Sequence, residues 1–334
     1  MKRLFFVLLT LALLWSGYWF VGSQGLNAGL SQWFDDRRAE GWQAEYTDLA
    51  VRGFPNRFDA TFSDLALADP DTGLSYELPF FQLLTLSYQP NHIIAVWPPS
   101  QQIATPTDKF ELASTGMRAS LVLDPGISMP LNRANLESGA LAMTSLGTGE
   151  TATMEALNLA IQRVTGDTTA YRMAVSADGL APSVPLRLQV DPGNLLPDRL
   201  TALRADIIVT FDRPWDIGAI ESARPQPTLI DVTLAEAHWG DLHLQMAGKM
   251  SVDSTGQPTG KIVIKARNWR DILHLATAAG AMPQALADTI EQGLGLLAQL
   301  SGNAKTLDIP LDLSGGQMWL GPIPIGPSPV LILR

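Results

Sequence analysis

The sequence predicts a mainly β (α+β) protein: an extended, curved antiparallel β-sheet meander behind an N-terminal transmembrane helix, with two helices near the C-terminus. Three observations carry this. Apolar and polar residues alternate with period two, most cleanly where Leu307, Ile309, Leu311 and Leu313 interleave with Asp308, Pro310 and Asp312. Gly, Asn, Asp and Pro turn signals separate many such runs, with few helical stretches between them, which favours hairpins over crossover units. Finally, Lys2 and Arg3 precede Leu4–Val21, an apolar run without a charge.

The apolar run comes first. Two basic residues before it orient it as an inside-anchored helix or a signal peptide. Trp15, Tyr18, Trp19 and Phe20 at its outer end suit a membrane–water interface, and the run is long for a signal core. An uncleaved anchor over residues 1–23 is therefore favoured, with cleavage after Ser23 as the alternative. Either way the rest of the chain is expected outside the cytoplasm, as a periplasmic body held at a bacterial inner membrane by a single pass. Leu30–Tyr46 reads as a separate short helix, with Trp33, Phe34 and Arg37 on one side and Gly41 at its end.

Strands follow. Phe58, Ala60 and Phe62 alternate with polar residues. After Asp64 the apolar set moves to Leu65 and Leu67, a phase slip that predicts a bulge or strong twist. Asp69–Gly73 has Asp-x-Asp-x-Gly spacing but lacks the downstream ligands of a calcium loop, so it reads as a turn. Leu74–Leu78 and Phe80–Tyr88 read as strands broken by Pro79. His92–Pro99 is another, and Phe110–Ala113 with Met117–Leu123 reads as a hairpin. Ala134–Leu146, Thr151–Val164, Thr168–Ala177, Leu186–Val190 and Ala205–Asp212 continue the series. The Pro-rich stretch 213–227 suggests a boundary between domains at 24–225 and 226–334, which could still be continuous in one sheet. Beyond it, Leu229–Ala235, His238–Val252 and Gly260–Ala266 read as strands. A helix capped by Asn268, with Asp271 three residues on, stops before Gly280. A second helix, Pro283–Leu300, carries Leu286, Ile290, Leu294, Leu297 and Leu300 as its apolar stripe.

Composition removes several functions. The net charge of −10 has no basic patch beside it, so nucleic acid is not expected as a partner. The absence of cysteine removes thiol nucleophiles, Cys-ligated zinc, iron–sulfur clusters and disulfides. No Gly-x-Ser-x-Gly elbow or phosphate loop occurs, and Gly293–Ala298 fits a dinucleotide fingerprint only inside a helical pattern. His238 and His243, five apart on one expected strand, should point to opposite faces and share no metal. His274 sits inside an expected helix with no His or acidic residue four away, and all four histidines, His92 among them, read as surface or satisfied residues. No enzyme, cofactor or metal is expected.

"GWQAEYTDLAVRGFPNRFD" (Gly41–Asp59), "YQPNHIIAVWPP" (Tyr88–Pro99) and "GQPTGKIVIKARNW" (Gly256–Trp269) resemble the DUF2125 family of exported alphaproteobacterial proteins. That likeness implies no catalytic residue. The C-terminal third, from the Asp253–Gly260 turn through "GGQMWLGPIPIGP", is similar in turn spacing to envelope proteins of the AsmA type. The likeness implies one N-terminal anchor and an association with lipid traffic or outer-membrane upkeep.

The expected function is an anchored, β-rich periplasmic protein that binds or shields membrane lipid in a hydrophobic groove. The groove would be left where the two late helices cover the sheet incompletely. Its lining candidates are Phe58, Phe62, Leu65, Leu67, Phe80 and Ile94, any of which would serve equally as core. Gly53–Arg57 reads as a corner that starts the first long strand. Arg57 is the candidate for a lipid headgroup or a partner. The alternative is a non-catalytic scaffold that docks other envelope proteins, with a hydrolase of unrecognised site third.

Overall fold

The computed structural model describes residues 1–221, 223–280, 282–301, 306–321 and 323–333; the side chains of 220, 221 and 296–301 are not described. The chain divides into two compact units, Met1–Pro125 with Leu136–Gly149, and Gly126–Asn135 with Glu150–Arg334. The chain is mainly β and the pairs below are antiparallel, as expected. The Pro-rich stretch 213–227 lies inside the second unit.

The first unit begins with α1 (Lys2–Ala39), one continuous helix of 38 residues, about 57 Å long. The separate helix expected over Leu30–Tyr46 is thus the end of the same rod. The helix stops at Glu40 before Gly41, whose φ is +92°, and the chain enters β1 (Gln43–Glu45). The break between an anchor and a second helix is absent because Gly22, Gly25 and Gly29 weaken a helix without breaking it.

The other strands of this unit are β2 (Asp48–Arg52), β3 (Arg57–Asp69), β4 (Leu74–Leu86), β5 (Gln89–Val96), β6 (Ser100–Ala104), β7 (Lys109–Ser114) and β8 (Arg118–Leu123). After them come β9 (Leu131–Ser138) and β10 (Leu141–Ser145). β3 pairs with β1 and β2 on one side and β4 on the other. The phase slip at Asp64 is real: Phe62 and Leu65 are both buried in one cluster with Phe34 of α1. It needs no bulge, because Ser63↔Phe80 and Leu65↔Leu78 keep one register. Asp64 takes the change in a left-handed conformation, φ +49°.

Pro79 lies opposite Asp64 and does not break β4, contrary to the sequence reading. Its missing donor is harmless where the neighbour on that side changes from β6, which pairs at residues 75–77, to β5, which pairs at 82–86. The expected hairpin over 110–123 is also corrected: β7 pairs with β6 and β10, and β8 pairs with β5.

In the second unit, β11 (Thr151–Met154) and β12 (Ala156–Arg163) lead into β13 (Ala170–Leu180). Leu186–Val190, expected as a strand, belongs to the helix α2 (Val184–Val190); Pro185 in its first turn supplies a helical φ where leucine alternation suggested a strand. β14 (Leu200–Phe211), α3 (Gly218–Glu221), β15 (Pro227–Trp239), β16 (Leu242–Val252) and β17 (Pro258–Arg267) follow. Then come α4 (Trp269–Ala278), α5 (Gln284–Ser301), β18 (Thr306–Ser314), β19 (Gln317–Leu320) and β20 (Ile323–Pro327).

β12 to β18 form an up-and-down meander in which each strand pairs with the next. Pro310 sits opposite Val263, and β19 pairs only with residues 311–314, so the proline has a free edge on its other side, as its residue type requires. Ile290 and Leu294 of α5 pack with Trp269, Ala266 and Leu307, which covers one end of the meander. The side chains of Leu297 and Leu300, expected in the same stripe, lie outside the described residues. Asn268 does precede α4 but caps nothing: its amide donates to the Asp241 carbonyl at 2.9 Å instead.

Candidate functional site

The corner Gly53–Arg57 holds the helix. The ring tips of three α1 residues donate to main-chain carbonyls around it: Trp15 to Pro55 at 3.0 Å, Tyr18 to Ser87 at 2.5 Å and Trp19 to Arg57 at 2.7 Å. Phe54 meets Phe20 and Trp19 with ring centroids 5.7 and 5.4 Å apart. Gly22 lets the helix approach closely, since a Cβ there would lie 2.6 Å from the Phe58 ring. Amphipathic aromatics with their polar tips satisfied explain how an apolar rod docks on a sheet without stranding a donor.

The seven candidates from the sequence fall on two faces of the first unit's sheet. Phe58, Phe62, Leu65 and Leu67 face α1. Phe62 and Leu65 are buried core, Leu67 packs against them, and Phe58 lies against Trp19 and Tyr18. Phe80, Ile94 and Arg57 take the other face, because Phe80 and Leu84 are in phase along β4 and Leu84 pairs with both Asp59 and Ile94. Arg57 is exposed there and bonds Asp59 at 3.0 Å. Of the lining candidates, Leu65 borders a cavity of about 400 Å³ with Glu77, Pro79 and Gln102, and Phe58 borders an apolar cleft of about 370 Å³ between α1 and β3–β5. The cleft is lined also by Gly22, Leu26, Leu83 and Ile93.

The second unit carries a broader apolar surface. Cross-strand partners from β13 to β18 form rows across one face of its meander. One row reads Met173, Ile207, Val232, Gly248, Ile262, Leu311; the next reads Val175, Ala205, Ala235, Met246, Ile264, Ile309; a third reads Ala177, Leu203, Ala237, Leu244, Ala266, Leu307. The opposite face alternates charges, with Asp231 bonded to Lys249 at 2.7 Å and Asp206 to Arg172 at 2.8 Å. The apolar face is buried at the α4–α5 end. Its middle is open, as a groove of about 340 Å³ lined by Val175, Leu203, Ala235, Leu244, Met246 and Ile264. Leu203 and Leu244 remain 37% and 36% exposed, which marks a stretch that no helix roofs among the described residues. No single strand announces this groove. The alternation His243–Met246 was legible, but the face exists only once β13 to β17 are in register.

On the charged face, the histidine expectation is corrected. His238 and His243 are not on one strand: a two-residue turn, Gly240–Asp241, ends β15 and starts β16, and the two histidines are direct cross-strand partners. Their rings lie 3.7 Å apart. Glu236, two residues earlier on β15, points its carboxylate at both, with Oε2 3.6 Å from His238 Nε2 and 3.8 Å from His243 Nε2. Burial, then the neighbouring His238, pushes the His243 imidazole below its ordinary pKa; Gln245, which donates to Glu236 at 3.2 Å, is the chief cause that lowers the carboxyl of Glu236.

These features define a class: mainly β proteins with an N-terminal helix long and apolar enough to cross a membrane, a test that a signal sequence also passes. The particular family follows from comparison. The chain belongs to DUF2125, described as an uncharacterized protein conserved in bacteria, whose sequence model matches residues 19–329. No curated protein and no solved structure matches the chain.

Proposed function

We propose that this is a single-pass envelope protein whose body lies in the periplasm and shields lipid acyl chains, without catalysis, on the open apolar face of its second unit. The observation that carries the reading is the groove at Val175, Leu203, Leu244 and Met246, a concave site lined by apolar side chains and backed by a face that carries the Asp231–Lys249 and Asp206–Arg172 ion pairs. A groove of this size with few polar groups suits a hydrocarbon chain better than a polar metabolite. The cleft beside α1 offers the same chemistry in the first unit, next to the expected bilayer interface. Arg57, exposed near the aromatic end of α1 and paired with Asp59, would be the residue that meets a phosphate headgroup.

The uncleaved anchor is supported by packing. Cleavage after Ser23 would remove Trp15, Tyr18 and Trp19 together with their three hydrogen bonds, and would expose Phe58.

The test uses full-length protein extracted in mild detergent, with bound phospholipid counted by mass spectrometry. The wild type should carry phospholipid in proportion to chain. Leu203→Glu with Leu244→Glu should lose most of it while melting stays close to wild type, since both positions are partly exposed. Equal lipid on the wild type and the folded double variant would sink the groove reading.

A further inference from the structure

The His238–His243 pair has no partner that the fold explains. Both Nε2 atoms are buried from solvent and neither makes a hydrogen bond. A buried ring nitrogen left unpaired costs free energy, roughly 1–3 kcal/mol. Two of them converge on one carboxylate oxygen. The Nε2–Oε2 separations of 3.6 and 3.8 Å are too long for hydrogen bonds but close to the spacing of ligands around a shared ion. All three ligand atoms lie within 4.8 Å of one another. Tetrahedral ligands about 2.0–2.1 Å from zinc lie about 3.4 Å apart, so small side-chain rotations would close the set.

We propose that Glu236, His238 and His243 bind one divalent ion of the zinc class, with a fourth coordination position left to water or an anionic oxygen. Two imidazoles and one carboxylate select zinc, nickel or copper over calcium and magnesium, which take oxygen ligands. The site is preorganised. The two histidines are fixed as direct partners by a two-residue turn, and Glu236 shares their face two residues along β15. Gln245 supplies the outer hydrogen bond that orients a ligating carboxylate. Arg267, the cross-strand partner of His243, and Arg204, the partner of Glu236, set a counter-charge beside the site. The charges thus temper affinity and favour an anionic fourth ligand. The site lies on the face opposite the apolar groove and does not depend on the lipid reading.

The test is zinc binding by full-length, tag-free protein stripped with chelator and held in detergent. Equilibrium dialysis should give one zinc per chain, and cobalt substitution should give the visible bands of a four-coordinate ion. Zinc should also raise the melting temperature. His243→Asn and Glu236→Gln should abolish uptake and the thermal shift. Gln245→Leu should weaken binding about tenfold or more. His274→Gln, on α4, should change nothing. Should a ligand variant fail to fold, the wild-type cobalt spectrum and Gln245→Leu still decide. A folded wild type that takes up no zinc at tenfold excess overturns the proposal, as does uptake undiminished in His243→Asn.

Discussion

The indole Nε1 of Trp19 donates to the main-chain carbonyl of Arg57 at 2.7 Å, and the same ring stacks on Phe58, 6.0 Å between centroids. One residue of the apolar helix is therefore fixed to the first two residues of β3 by both its polar and its apolar parts. Trp19 is buried, at 6% exposure.

From this contact follows a graded stability series. Trp19→Phe keeps most of the packing and leaves the Arg57 carbonyl without its donor, at a cost of about 1–2 kcal/mol. Trp19→Ala also removes the ring and should cost about 3–5 kcal/mol. Chemical denaturation in detergent, read by near-ultraviolet circular dichroism, measures both. Equal losses from the two variants would show that packing contributes nothing at this position.

The same contact bears on processing. Protein recovered from membranes should have the mass of the whole chain, and N-terminal sequencing should not begin at Gln24. A mature form starting there would mean that residues 1–23 of α1 are discarded and the Phe58 site is filled by something else.

A second packing prediction concerns β16 and β17. A Cβ on Gly260 would lie 2.2 Å from the Lys249 carbonyl and 2.6 Å from the Met250 Cα, both main-chain atoms that cannot step aside. Gly260→Val should destabilise the second unit by about 1–3 kcal/mol or more through overpacking, despite the high strand propensity of valine. Thermal melting tests it, and a neutral or stabilised variant would contradict this strand spacing.

Acid sensitivity follows from Asp206. A side-chain hydrogen bond from Arg172 holds its carboxyl below the ordinary value. A depressed folded pKa contributes stability that is fully present above the unfolded value, near 4, and is lost as pH falls through the lower folded value. The pair is partly exposed, so the effect is less than about 1 kcal/mol at neutral pH. Asp206→Asn should lower the melting temperature slightly at pH 7, and the difference should shrink as pH falls below about 4. A difference that persists unchanged at low pH would assign the effect to something other than charge.

Much of this was legible in the sequence for local reasons. Leu307–Leu313 announced a strand by alternation alone, and Pro310 announced its free edge. The helix Asn268–Ala279 was legible from its stop at Gly280. What failed was information carried by partners. Pro79 seemed to break a strand because nothing local shows that its neighbour changes there. Leu186 and Leu188 alternate like a strand, yet Pro185 starts a helix. The histidine pair was misread because Ala237–Leu244 looks continuous. The signal was available in Gly240–Asp241, where Gly240 has φ +58°, the positive angle that a two-residue hairpin turn demands. The groove was the least legible feature, since its lining comes from five strands and each contributes one to three ordinary residues.

The three aromatic tips of α1 grip carbonyls of the peptide chain, not side chains. In a bilayer, such a mooring has no swivel. The first unit would inherit the tilt of its own membrane rod and keep a constant heading, as a mast keeps its crosstree, and replacement of the corner's side chains would leave these three hydrogen bonds their acceptors.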